Sequence, residues 1–198
     1  MKFLNILKGA ILAIGLSAGS AYATSVDFEV GSDTDVTSTS FCGGCSLSIE
    51  QNPLLEGTMF SLAEGQTESL AFFDIVADVN TGIAGGWFDI DATLAFLLPG
   101  GSASSTGSGA FVSVFGAITG GILNWDQNEF FINFGNGGQY SVVFDQGVDV
   151  LKGTSKTIYA DVTLTAAPIP LPASGLLLIL GMGGLGVMRL RKRATAST

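Results

Sequence analysis

Through the middle of the chain, apolar side chains recur at every second position rather than every third or fourth. Phe88, Ile90, Ala92, Leu94, Phe96 and Leu98 fall on one side of a segment whose other side carries Asp89, Asp91 and Thr93. Farther on, Ile158, Ala160, Val162 and Leu164 alternate with Thr157, Tyr159, Asp161 and Thr163. Successive side chains of a strand point to opposite faces, so this alternation predicts strands with one face buried. Further strands are predicted at 26–30, 46–50, 69–79, 111–118, 129–134 and 140–144, separated by clusters such as Gly135-Asn136-Gly137-Gly138. Eight or so strands with turn residues between them predict an all-β fold, an antiparallel β-sandwich of jelly-roll or Ig-like type over residues 24–165. Residues 100–109, with Ser and Thr between glycines, read as a surface loop.

The pattern changes at both ends. Lys2 and Lys8 flank the start of a stretch over 6–16 that is apolar apart from Lys8, and small residues follow up to Ala21-Tyr22-Ala23. A charged head, a short greasy segment and small residues at −3 and −1 are the layout of a signal peptide over residues 1–23, with Ala21 and Ala23 set for signal peptidase. At the other end, residues 166–172 (Ala-Ala-Pro-Ile-Pro-Leu-Pro) are too rich in proline for a helix or inner strand and predict an extended linker. Every residue from 173 to 188 is apolar or small, and Arg189, Arg191, Lys192 and Arg193 follow at once. Sixteen helical residues rise about 24 Å against a hydrocarbon core of about 30 Å, a shortfall that adding Leu171 and Pro172, or thinning the bilayer, makes up in part. The expectation is a transmembrane helix over 173–188. The basic cluster at 189–198 would then stay in the cytoplasm, with residues 24–165 on the far side. The N-terminal signal predicts the same topology independently.

Pro168-Ile169-Pro170-Leu171-Pro172-Ala173, then a Leu/Gly-rich span, then Arg-Leu-Arg-Lys-Arg, resembles the VPLPA-CTERM variant of PEP-CTERM sorting tails, with Ile169 where that family usually has Val. The resemblance is confined to about residues 167–193. It implies processing by an exosortase, a membrane transpeptidase-like protease of Gram-negative bacteria, in producers of exopolysaccharide and biofilm. The chain would be the substrate of that enzyme. Prolines suit the role because they hold a scissile segment extended and poor in hydrogen bonds.

Charge and composition narrow the partners. The chain is 47% apolar, but the two ends supply much of that, so the middle alone reads as soluble. All 17 acidic residues lie within 27–161, where Lys152 and Lys156 are the two bases, for a net charge of −15 over that stretch. A surface this acidic repels phosphate backbones, which excludes nucleic acid as the expected partner. Self-repulsion outside the cell accounts for such a charge through solubility.

The absence of histidine removes Ser-His-Asp, Cys-His and His-metal designs together. Cys42-Gly43-Gly44-Cys45 holds the only two cysteines, and in an exported protein they are expected to oxidise to each other. A redox-active pair would need a βαβ setting and a helix N-terminus, and zinc would need carboxylates to complete about four ligands. Carboxylate pairs remain. Asp89 with Asp91 suits glycoside hydrolysis or, like Asp33 with Asp35, calcium binding, although the twelve-residue calcium loop with its closing Glu is absent. No metal or cofactor is expected, calcium being the one ion these pairs suit. Trp87, Trp125 and Phe130 would stack on sugar rings if exposed, whereas aromatics at strand spacing more often fill a core.

Together these features predict a non-enzymatic protein exported from the cytoplasm and held in the membrane by its tail, its β-sandwich in the periplasm, on the cell surface or in the extracellular matrix. The role expected is structural, adhesive or polysaccharide-binding, with exopolysaccharide as the ligand. The alternative is a carboxylate-based extracellular glycan hydrolase. A deep cleft with two facing carboxylates would favour the hydrolase, and exposed aromatics on one face the binder.

Overall fold

The computed structural model describes residues 25–79, 82–115, 117–148 and 155–169. The expected signal peptide at 1–23, the apolar stretch at 173–188 and the basic tail lie outside the described residues. Twelve strands run through the described chain: β1 (Val26–Val30), β2 (Asp35–Gly43), β3 (Cys45–Gln51), β4 (Met59–Leu62), β5 (Thr67–Val79), β6 (Ile83–Leu98), β7 (Ser102–Val114), β8 (Ala117–Trp125), β9 (Glu129–Phe134), β10 (Gly138–Phe144), β11 (Gly147–Val148) and β12 (Ser155–Ala166). All pairings are antiparallel.

One sheet has the order β11-β8-β7-β6-β1-β4, with β2 also on β6, and the other runs β3-β5-β12-β10-β9. β1 and β2 lie end to end along the same edge of β6, Val30 facing Phe96 and Asp35 facing Thr93. Buried Thr34 bridges the jog between them. Its hydroxyl accepts from Ala95 N at 3.1 Å and lies 3.3 Å from Ala95 O, taking the place of a strand residue.

The sheets meet through an aromatic core. Phe28 of β1 and Phe96 of β6 meet Tyr140 of β10 edge-on, at centroid distances of 5.3 and 5.4 Å. Toward the other end, Trp125 packs against Phe73 and Phe144 of the opposite sheet at 6.2 and 5.3 Å. Edge-to-face rings contribute beyond their buried area.

The sequence-predicted strands at 26–30 and 129–134 match β1 and β9, and those at 46–50, 69–79 and 140–144 lie within β3, β5 and β10. Two expectations are corrected. Residues 100–109 form no surface loop, because 102–109 belong to β7, whose inward positions are Ala103, Ser105, Gly107 and Gly109. Small residues stand there because rings from neighbouring strands occupy the space. A Cβ on Gly109 would fall within the ring of Phe88, and one on Gly107 would sit 2.6 Å from Trp125. Residues 111–118 are not one strand either. The chain turns between Val114 and Ala117 at Phe115, which is 88% exposed and has φ of 49°.

The described chain enters and leaves at one end of the sandwich. Val26 pairs with Leu62, Ala166 with Gln139, and Ala167 N lies 3.4 Å from Glu64 in the β4–β5 turn. The β2–β3, β5–β6 and β7–β8 connections sit at the opposite end, where Gly43 faces Gly85, Cys45 faces Val79 and Ile83 faces Val114. β6 runs the length between them, about 50 Å at ~3.3 Å per residue.

Candidate functional site

The outer face of the first sheet is built from the positions of β2, β6, β7 and β8 that alternate with the core. Register places them in rows across the strands. One row reads Phe41, Trp87, Ala110, Ile122, and the next reads Thr39, Asp89, Ser108, Asn124. Beyond these come Thr37, Asp91 and Thr106, then Asp35, Thr93 and Ser104.

In the first row the two rings are exposed, Phe41 by 58% and Trp87 by 51%, and they stack at 24° with centroids 6.4 Å apart. The backbone beneath them is tightly fitted. A Cβ on Gly86, next to Trp87, would collide with the Phe41 carbonyl, so only glycine lets β2 lie this close to β6. A shallow recess of about 260 Å³ opens beside Trp87, lined on the outside by Asp89, Ser108, Ala110, Ile122 and Asn124.

The polar rows differ in how their side chains are satisfied. Thr106 donates to Asp126, and the Thr93 and Ser104 hydroxyls are hydrogen-bonded at 2.8 Å. The same cross-strand pairing recurs elsewhere, where Ser69 donates to Asp161 at 2.6 Å, Thr157 to Asp74 at 2.5 Å and Ser61 to Asp27 at 2.5 Å. The row Thr39, Asp89, Ser108, Asn124 is different, for its four exposed side chains make no hydrogen bond to one another or to any other described residue. A polar row left for solvent, flanking an open aromatic pair, is an arrangement that accepts hydroxyl-rich ligands.

Of the three aromatics singled out from sequence, only Trp87 is open. Trp125 is 7% exposed and donates its indole N–H to Asp145 O at 2.9 Å, and Phe130 is half-buried against Phe144 with centroids 5.4 Å apart. Sequence reading missed Phe41, whose strand is a run of Ser and Thr with little apolar alternation; the signal available was its place just before the Cys42 turn. Asp89 and Asp91 stand two residues apart on one open strand face, with no wall opposite them. Asp33 and Asp35 are exposed at the β1–β2 jog. Among the described residues no three His, Cys, Asp or Glu side chains gather closely enough to hold a metal ion.

Cys42 lies one residue before the end of β2 in one sheet, and Cys45 begins β3 in the other. The two are paired across Gly43-Gly44 with Cα atoms 5.3 Å apart, and Gly44 takes φ of 85°. The clasp therefore joins the two sheets one residue from Phe41. Pro168 and Ile169 of the Pro-rich segment lie against the β9–β10 turn, where Ile169 N donates to Asn136 O at 3.0 Å. Pro170, Leu171, Pro172, Ala173, the four basic residues and Ala21 with Ala23 lie outside the described residues. No helix among the described residues is long and apolar enough to cross a membrane.

Comparison with family models, with curated proteins and with solved structures finds no match for this chain.

Proposed function

We propose that the chain is an exported, membrane-anchored surface or extracellular-matrix protein, a substrate of an exosortase-type sorting system and not an enzyme, whose sandwich binds polysaccharide through the face around Phe41 and Trp87. The binding role rests on one observation, the exposed stacked pair Phe41–Trp87 beside a row of polar side chains with no internal partner. Flat aromatic faces pack against the C–H faces of pyranose rings, and free carboxylate, amide and hydroxyl groups take up the sugar hydroxyls.

In this reading residues 1–23 form the signal helix, removed after Ala23, and 173–188 the membrane helix, with Arg189, Arg191, Lys192 and Arg193 in the cytoplasm. The geometry of the described part supports the arrangement. An anchor that follows Ile169 would hold one end of the sandwich at the bilayer, and the aromatic pair stands toward the other end. The motif begins directly on the β9–β10 turn, so the segment an exosortase would cut lies within a few residues of the folded body. The sandwich itself we assign to the jelly-roll type rather than the Ig-like type. The chain changes sheets at β2 to β3, β3 to β4, β4 to β5 and β5 to β6, the alternation of a jelly roll.

A carboxylate-based hydrolase is the weaker alternative. Its acid and its second carboxylate must flank a bound glycosidic bond, whereas Asp89 and Asp91 rise side by side from one strand. Cell fractionation with intact-mass analysis tests the proposal. Full-length chain should appear in membrane or matrix without residues 1–23, and a chain ending at Ala167 should leave the membrane fraction. Trp87→Ala should be sorted normally yet fail to stay with the polysaccharide. Unchanged distribution of the truncated chain would refute the anchoring, and unchanged retention of Trp87→Ala would refute the binding face.

A further inference from the structure

The proposed face is uniformly uncharged or acidic, and its rows have different chemistry at fixed spacing; both facts bear on what kind of polysaccharide fits it. This step rests on the polysaccharide-binding reading and specifies its ligand. We propose that the face binds a neutral glycan running across the strands from β2 to β8, with its sugar rings on the apolar row Phe41, Trp87, Ala110, Ile122 and its hydroxyls on the polar row Thr39, Asp89, Ser108, Asn124.

Charge excludes the acidic alternatives. Asp35, Asp89, Asp91 and Asp126 all belong to this face or its margin, and none of the four rows contains a lysine or arginine. A uronate or sulfated chain would set its anions against these carboxylates with no lysine or arginine in the four rows to offset them, and like charges in close array disfavour binding. A bridging divalent cation would relieve the repulsion, but among the described residues no cluster of three ligating side chains exists to hold one. A neutral glycan meets no such penalty. Its hydroxyls donate to the Asp89 carboxylate, and hydrogen bonds to a charged acceptor are stronger than those between neutral groups.

Spacing sets the direction and length of the ligand. Neighbouring strands lie about 4.8 Å apart, so the apolar row over four strands spans about 14 Å. That distance accommodates about three sugar units of an extended chain lying across the strands, and the polar row runs parallel to it two residues farther along each strand. A glycan lying along a single strand would leave the apolar row after one ring and meet alternating polar rows instead. Trp87, at the second position, lies under the middle of a three-unit ligand, which makes it the residue whose loss costs most.

The test is isothermal titration of the full-length chain, held in a detergent with no sugar headgroup, against two sets of oligosaccharides one to six units long. One set is neutral (gluco-, manno- and galacto-oligosaccharides) and the other acidic (oligogalacturonate and oligomannuronate), each with and without calcium. The expected result is binding of a neutral series whose affinity rises to about three units and then levels, with little change between 50 and 500 mM salt. Asp89→Asn should weaken it about tenfold and Trp87→Ala about a hundredfold. Binding of the acidic set, equal or better and dependent on Trp87, would overturn the neutral-ligand inference while leaving the polysaccharide-binding reading intact. Affinity that climbs past five units, or is lost on raising salt, would overturn the cross-strand arrangement. Binding of neither set, or binding indifferent to Phe41→Ala and Trp87→Ala together, would overturn the underlying reading as well. Circular dichroism of each variant separates a lost site from a lost fold.

Discussion

Where the two sheets meet, Tyr140 is fully buried among Phe28, Phe96 and Phe134 and donates its hydroxyl to Gly100 O at 2.9 Å, which ties the β6–β7 turn to the opposite sheet. Burial disfavours the phenolate and pushes the Tyr140 pKa well above its ordinary value of 10.0. The folded pKa thus exceeds the unfolded one. For this group the stabilisation is complete below about pH 10 and is lost as the pH rises toward the folded value, because only the unfolded chain releases the proton. Urea unfolding at pH 7, 9 and 11 should show wild type losing stability between 9 and 11. Tyr140→Phe should be weaker at pH 7 by about 1 kcal/mol for the lost hydrogen bond, yet change less over the alkaline range. An equal alkaline loss in both would mean Tyr140 does not carry the effect. At this scale the core was legible, since Phe88, Ile90, Ala92 and Leu94 alternate as buried positions do. The exposure of Trp87 was not drawn from the sequence, although its parity with Asp89 and Asp91, opposite Phe88 and Ile90, carried the signal.

Among the strands that sequence pattern hid, β2 and much of β7 are dominated by small and polar residues. β7 has no apolar residue larger than alanine before Phe111, so its inward positions, Ala103, Ser105, Gly107 and Gly109, are marked by small size and not by hydrophobicity. The information needed lay on other strands, in the rings of Phe88 and Trp125 that fill the space above Gly109 and Gly107. β2 was missed for a similar reason, as most of its residues are exposed on both faces of a sheet margin. The complementarity predicts a sharp contrast. Gly109→Ala should destabilise the fold by about 1–3 kcal/mol through overpacking, while Gly120→Ala, with open space around its Cβ, should stay within about 0.5 kcal/mol. Denaturant midpoints compare the two directly, and similar values would contradict the account of β7. The β2–β3 corner supplies a second contrast. Replacing Cys42 and Cys45 together by serine removes a clasp worth about 2 kcal/mol for so short a loop, and the change should be felt first at Phe41. Hydrogen exchange should speed up at the ends of β2 and β3 and leave β10 and β12 unaltered; uniform acceleration would show that the clasp supports the whole fold instead.

Over the molecule as a whole, entry and exit of the described chain at one end and the open aromatic pair toward the other give the sandwich a direction. The sequence made the all-β class legible through alternation, while the terminal segments it predicts from hydropathy and charge lie outside the described residues. It did not reveal that Phe41 stands beside Trp87, since that depends on the register of β2 against β6 and on the close approach of strands at Gly86. The polysaccharide face is the claim on which the functional account turns, and the two tryptophans provide its most direct test, one half-exposed at the face and one buried in the core. Acrylamide quenching of tryptophan emission should be measured on the full-length chain with and without soluble polysaccharide, alongside Trp87→Phe, whose emission comes from Trp125. The account predicts that polysaccharide protects wild type from quenching and leaves Trp87→Phe unaffected. Protection that is absent in wild type, or equal in the two proteins, would place any bound glycan away from Trp87 and contradict it.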